Sequence, residues 1–289
     1  MTTPCATAPA QTLCQDLEYT IAGSVLASMP GATVLDVGAE RGSFIELALA
    51  NGAARVHAFE PLPRHHAELA RRFSHDARVR LHPMAVSENS GRACFHIAHD
   101  QTGKPVDYHH SLSVITGAEN LDFTQTIEVE TVSLADFCNR QPGGCAPGFI
   151  KLDTEGHDLS AISGLGDQRP EVVMCEFWND LPETSGRCPY QLSDLTARAA
   201  SFGYRDFLCV RHLDGATWLD IGASACSARE WGNVLFFRAD LWPVLAPICV
   251  YPYVRSSSLG FIAAQVSAHQ ELVAKERVIQ DLIRRLPST

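Results

Sequence analysis

Residues 34–44 read Val34-Leu35-Asp36-Val37-Gly38-Ala39-Glu40-Arg41-Gly42-Ser43-Phe44, and 24 residues after Asp36 a second apolar run closes on Ala58-Phe59-Glu60. The first stretch is an apolar strand that ends in a glycine turn and passes into a helix. Gly38 and Gly42 are expected to remove the Cβ atoms that would keep a ligand from the backbone. Glu60 falls at the tip of the next strand, where a carboxylate can accept both hydroxyls of a ribose. Together they predict a nucleoside crevice at the carboxyl edge of a parallel sheet.

The turn is not Gly-x-Gly-x-x-Gly, so the pyrophosphate cradle of a dinucleotide site is not spelled out. Asp36 and Glu40 also place negative charge there, which repels phosphate and suits a cation. An adenosine with a positive sulfonium and an ammonium group, S-adenosylmethionine, meets both demands, and methyl transfer is the chemistry expected.

Composition narrows the classes. Of 289 residues, 46% are apolar, enough for a sizeable core. The 23 Lys and Arg face 33 Asp and Glu, a formal charge of −10, which argues against a nucleic-acid partner. The ten cysteines, from Cys5 to Cys249, form no Cys-x-x-Cys pair, so neither a zinc ribbon nor a redox dithiol is indicated. Residues 1–30 carry no secretory pattern, since Asp16 and Glu18 interrupt the apolar positions; reduced thiols and a cytoplasmic setting are expected. Leu241 to Val254 is broken by Pro243, Pro247 and Pro252 and is too short to span a bilayer.

Periodicity predicts the order of elements. Leu13, Leu17, Ile21, Val25 and Met29 recur every four residues and mark an N-terminal helix closed by Pro30-Gly31. Strands are expected at 33–37, 56–59 and 79–86, with helices at 42–51 and 64–73. A strand at 93–97, a long polar loop at 98–125 and a strand at 127–132 follow. Ser133 caps a short helix at 134–137. Strands at 149–153 and 172–176, a helix at 192–202, and strands at 207–210 and 233–237 complete the alternation. This is an α/β fold, a Rossmann-like doubly wound mostly parallel sheet with an N-terminal helix and a C-terminal helical tail. The division expected is an extension and helix at 1–30, a catalytic domain at 31–240, and a Pro-containing linker with a helix near 259–286 at 241–289. That last helix is a candidate oligomer or partner contact.

Five ordered segments resemble the FkbM-type methyltransferases: Val34-Leu-Asp-Val-Gly-Ala-x-x-Gly, Ala58-Phe-Glu-Pro, Ala85-Val-Ser, Ser111-Leu, and Ile150-Lys-Leu-Asp-Thr-Glu-Gly-His-Asp. The resemblance covers about residues 30–180 and implies a class I fold, S-adenosylmethionine as cofactor, and O-methylation of natural products or glycans. Glu40 stands where Asn is common and Asp158 where Glu is common.

The cofactor set expected is Asp36, Gly38, Ala39, Glu40, Gly42, Phe44, Glu60, Pro61, Ala85, Val86 and Asp153. Methyl transfer asks for alignment of a nucleophilic oxygen and removal of its proton. Asp153, His157 and His110 are the catalytic candidates. Each has a plainer explanation: Glu60 as a solvated strand end, the His109-His110 pair as surface, and Lys151, Glu155 and Asp158 as a structural polar network. A divalent metal is not expected; were one bound, Asp153, Glu176 and Asn179 offer the oxygen ligands. The acceptor should meet residues 98–125 and 178–190, where Asp100, Asp107, His109 and His110 suit the hydroxyls of a small-molecule or glycan substrate. Two other classes remain open: a nicotinamide-dependent oxidoreductase, and a non-catalytic binding protein on the same fold.

Overall fold

The computed structural model describes residues 11–256, apart from 107–108, 119, 179–187 and 228. In chain order, α1 (Gln11–Ala27) leads to β1 (Thr33–Val37), α2 (Ser43–Ala50), β2 (Arg55–Phe59), α3 (Pro63–Phe73) and β3 (Val79–His82). A small sheet of β4 (Ala85–Val86), β5 (Gly91–Asp100) and β6 (Leu121–Val132) interrupts the alternation. It resumes with α4 (Leu134–Arg140), β7 (Phe149–Leu152), α5 (Asp158–Ser163), β8 (Val172–Trp178) and α6 (Leu192–Ser201). The chain then forms β9 (Asp206–Leu213), β10 (Ala216–Ile221), β11 (Trp231–Phe237) and α7 (Trp242–Ser256).

The large sheet has the order β10-β9-β11-β8-β7-β1-β2-β3. Five strands, β8 to β3 in that order, run parallel, and the last three join antiparallel. The sheet is the expected Rossmann-like, mostly parallel one. From β1 the chain steps outward to β2 and β3, then returns to β7 on the other side of β1. That reversal opens the crevice at the carboxyl ends of β1 and β7.

Alternation within the buried strands feeds two cores. Val34 faces Ile21, Val25, Phe44, Ile45 and Leu69 of α1, α2 and α3, whereas Leu35 and Val37 face Phe137, Ile162 and Leu195 of α4, α5 and α6. Each such side chain contributes about 1.5–3 kcal/mol on burial. Ser133 caps α4 as expected, its Oγ accepting from the Asp136 N–H at 3.1 Å. On α1, buried Glu18 bonds His212 of β9, which stacks on Trp231 at 4.2 Å.

Four expectations need correction. The single strand at 79–86 is two, because Pro83 has no N–H for a ladder; Ala85-Val86 pairs with β6 instead of continuing β3. Both ends of the loop at 98–125 are ladder: β5 runs to Asp100 and β6 begins at Leu121, paired antiparallel with a bulge between Ile97 and His99. The outward polar residues of this ribbon hide its period. Strand β10 was not anticipated, although Asp214-Gly215, at φ 48° and 81°, is a two-residue hairpin signal. Finally, 241–254 is not a linker. It forms most of α7, whose Trp242, Leu245, Ala246 and Cys249 bury beside Ile21 and Val25 of α1. Pro243 sits in the first turn at no cost, and tertiary burial outweighs the hydrogen bonds lost at Pro247 and Pro252. The helix expected near 259–286 lies outside the described residues. Among the described residues no helix is long and apolar enough to cross a membrane.

Candidate functional site

The turn after β1 is built by close approach of backbone. The N–H groups of Gly38 and Ala39 both donate to the Phe59 carbonyl at 3.1 Å, drawing the turn over the end of β2. Gly38 has φ 77°, and a Cβ there would stand 1.8 Å from the Asp153 carbonyl oxygen. Gly42 has φ 87°, and its Cβ would lie 2.5 Å from Phe73 and 2.9 Å from Leu69. The two glycines therefore let β7 and α3 approach the turn. The expectation that they clear space for a ligand is corrected: protein atoms already fill both places.

Glu60 is buried at the tip of β2, and each carboxylate oxygen is held by a backbone donor. The Glu40 N–H reaches Oε2 at 2.8 Å, and the Leu62 N–H reaches Oε1 at 2.9 Å. Burial pushes its pKa up to about 7 against the pull of these two bonds. Glu40 itself takes φ 46°, which aims its N–H at Glu60. Phe44, in the first turn of α2, receives Tyr19 of α1 edge-on at 5.8 Å. Pro61 follows Glu60 at the rim, and Ala85 and Val86 are buried at the start of the small sheet.

Asp36 lies beneath the turn, fully buried, with Lys151 beside it in register on β7. The Lys151 ammonium stands 3.4 Å from Asp36 Oδ1 and 3.1 Å from Asp153 Oδ2, and donates to the Gly38 carbonyl at 3.0 Å. Burial lifts Asp36 to about 6, and Lys151 limits the rise. Asp36 thus acts on the crevice through Lys151, while Asp153 stands at its surface. The lysine carried a signal of its own: a cation between Ile150 and Leu152 in a buried strand requires a carboxylate partner.

Beyond β7, Asp158 ties the turn to β8. It accepts from the Thr154 N–H at 2.9 Å, from the Thr154 hydroxyl, and from the Glu176 N–H at 2.7 Å. This is the structural network expected for Asp158. Lys151 and Glu155 belong to other clusters. Residues 109–113 cross the turn and bond it three times: His109 Nδ1 to Glu155 Oε2 at 3.0 Å, the Ser111 hydroxyl to the Thr154 carbonyl at 2.9 Å, and the Ser113 hydroxyl to His157 Nδ1 at 2.9 Å.

His157 Nε2 lies 3.0 Å from the Ser87 hydroxyl, so both ring nitrogens meet serines, and burial lowers the imidazole to about 4. His110 is the residue the structure places elsewhere. Its Nδ1 accepts from the Ala98 N–H at 3.0 Å, its Nε2 lies 2.9 Å from Arg64, and burial followed by the Arg64 charge lowers it to about 4. Its neighbour His109 is the one that reaches the β7 turn.

Glu176 Oε2 is buried without a hydrogen-bond partner. Burial, and then the carboxylates of Asp153, Glu155 and Asp158, raise its pKa well above the usual range. Asn179, the third metal ligand considered, lies outside the described residues. Among those described, no group of three or more His, Cys, Asp or Glu side chains is set to hold a metal ion.

The model of the methyltransferase FkbM domain matches residues 36–204. The 2-O-methyltransferase NoeI of Sinorhizobium fredii is 29% identical over 148 residues, spanning 48% of this chain and 59% of that protein. Solved structures include the magnesium protoporphyrin IX methyltransferase ChlM of Synechocystis, with bound SAM. It is 13% identical, covering 83% of this chain and 87% of that one at a TM-score of 0.42. An rRNA methylase of Streptococcus thermophilus is 12% identical over 75% and 94% of the two chains, at 0.39.

Proposed function

Because the chain belongs to the methyltransferase FkbM family, matched over residues 36–204, we propose that it is an S-adenosylmethionine-dependent O-methyltransferase whose acceptor is a hydroxyl of a sugar, glycan or related natural product. The observation that carries the cofactor assignment is Glu60, fixed at the β2 tip by two backbone N–H groups. A carboxylate so held keeps lone pairs for a pair of vicinal hydroxyls, and a ribose presents such a pair. The orphaned Glu176 oxygen, with the carboxylates of Asp153 and Glu155 nearby, favours a ligand that brings positive charge. The residues present therefore fit the cofactor: Glu60 would hold its ribose, and the carboxylates would balance its sulfonium and ammonium. When bound, it supplies an electrophilic methyl group on a good leaving group.

The chain must align an acceptor oxygen and take its proton. The segment 109–113, bonded to the β7 turn at three points, stands where an acceptor would be gripped, and its His and Ser side chains are the short polar groups that bind hydroxyls. The 2-O-methyltransferase relative supports oxygen as the acceptor atom. The net charge of −10 speaks for a neutral or small acceptor over a nucleic acid.

Calorimetry with S-adenosylhomocysteine tests the cofactor; no binding at millimolar ligand to folded protein would refute it. Glu60→Ala should weaken that binding by about 1–3 kcal/mol. Labelled cofactor offered with sugars, phenols and peptides tests the acceptor. Label on an amine or carboxylate, with no hydroxyl labelled, overturns O-methylation. Residues 257–289 are proposed to serve an oligomer or partner contact, and their removal should change the sedimentation of the full chain if they do.

A further inference from the structure

Two non-glycine residues, one on the segment 109–113 and one in the turn after β7, hold left-handed backbone and are bonded to each other. His109 has φ 69° and Glu155 φ 53°, and His109 Nδ1 lies 3.0 Å from Glu155 Oε2. Left-handed backbone at a histidine and a glutamate is a cost that the surrounding structure must sustain, and such positions gather at functional sites. Here each strained residue delivers its side chain to the other. Both side chains are largely buried and neither is sealed, with 12% and 23% of their surfaces exposed.

The pairing fixes a tautomer. Burial would raise the Glu155 carboxyl, but the hydrogen bonds of His109, and its charge once the ring is protonated, prevail and hold it below the usual glutamate range. An ionised Glu155 only accepts, so His109 Nδ1 carries the proton and the lone pair of the neutral ring sits on Nε2. The other two candidate histidines differ. His157 has a serine hydroxyl at each nitrogen, and His110 faces Arg64 and the Ala98 N–H. Among these three, His109 alone has a carboxylate partner.

We propose that His109 and Glu155 are the general-base dyad of the transfer. His109 Nε2 takes the proton of the acceptor hydroxyl as that oxygen bonds the methyl carbon. The electron pair of the broken carbon–sulfur bond stays on sulfur, and the Glu155 carboxylate stabilises the imidazolium. This rests on the methyltransferase reading above.

The test uses nitrogen-15 spectra of the imidazoles of the full chain, titrated without acceptor, with His109→Gln to assign the signal. Among the described residues, the titratable groups that face the dyad are His110, Glu40 and Glu176, and they are left intact throughout. The expected result is an Nδ1–H tautomer for His109, and an imidazole pKa about one unit or more lower in Glu155→Gln. An Nε2–H tautomer, or a titration that Glu155→Gln leaves unmoved, overturns the dyad. Calorimetry separates the remaining roles. His109→Gln should leave S-adenosylhomocysteine affinity within about twofold, and a tenfold loss would reassign the pair to cofactor binding and refute the proposal. If the wild type itself binds no S-adenosylhomocysteine, the methyltransfer reading fails, and the base role fails with it whatever the spectra show.

Discussion

Three glycines separate backbone strain from steric contact, and their alanine variants should rank accordingly. Gly31 has φ 84° with nothing within 4 Å of an added Cβ, so Gly31→Ala isolates the left-handed cost, about 1–2 kcal/mol. Gly42→Ala adds Phe73 and Leu69 side-chain atoms at 2.5 and 2.9 Å, and crowding of this kind costs a further ~1–3 kcal/mol because side chains can turn aside. Gly38→Ala has no such escape. The obstacle is the Asp153 carbonyl oxygen at 1.8 Å, on a backbone tied to β1 by the Asp153 N–H bond to Val37 at 3.1 Å. Relief means parting β1 from β7 and disturbing the bond from Lys151 to the Gly38 carbonyl. The total should exceed about 4 kcal/mol, the range reserved for severe core damage. Urea unfolding of the three variants beside the wild type measures the series, and failure of Gly38→Ala to fold agrees with it. A Gly38→Ala no more costly than Gly31→Ala would refute the account of the turn.

Affinity for S-adenosylhomocysteine should rise about tenfold between pH 6 and 8. The buried Glu60 carboxyl ionises at about 7, and ribose hydroxyls donate to the ionised form. Calorimetry at both pH values should find this dependence in the wild type and not in Glu60→Gln. Lys151→Met leaves Asp36 fully buried without its cation, at a cost of about 3–5 kcal/mol, while the double variant with Asp36→Asn regains most of it. Equal losses in the single and double variants would show that the pair is not the unit. Pro247→Ala returns a backbone donor to α7 and should stabilise the protein by about 1–3 kcal/mol, read as a higher melting temperature.

What could be read in advance depended on how each element makes its contacts. Strands β1, β2, β7 and β8 are mostly apolar because both faces are covered, and that pattern survives in one dimension. Helix α7 was illegible, since three prolines speak locally against it and tertiary packing, on α1 above all, decides. The β5–β6 ribbon was half legible, because its outer residues are polar and its register is set across strands. At the site, Glu60 was legible from the spacing of two strand ends. The meeting of His109 with Glu155 was not, because 46 residues separate them and their contact depends on two left-handed backbone turns.

The insertion of β11 between β8 and β9 sets the order in which this chain can safely emerge and fold. The family match closes at residue 204, yet the sheet does not close there. A chain cut at Tyr204 would leave the outer side of β8, almost wholly apolar from Val172 to Trp178, as an unpaired edge open to any other strand. During synthesis that edge waits for residues 231–237 before its last ladder can form. The interval from 178 to 231 is therefore the window in which a nascent copy is most exposed to self-association, and trimming the chain to its matched segment would make that window permanent.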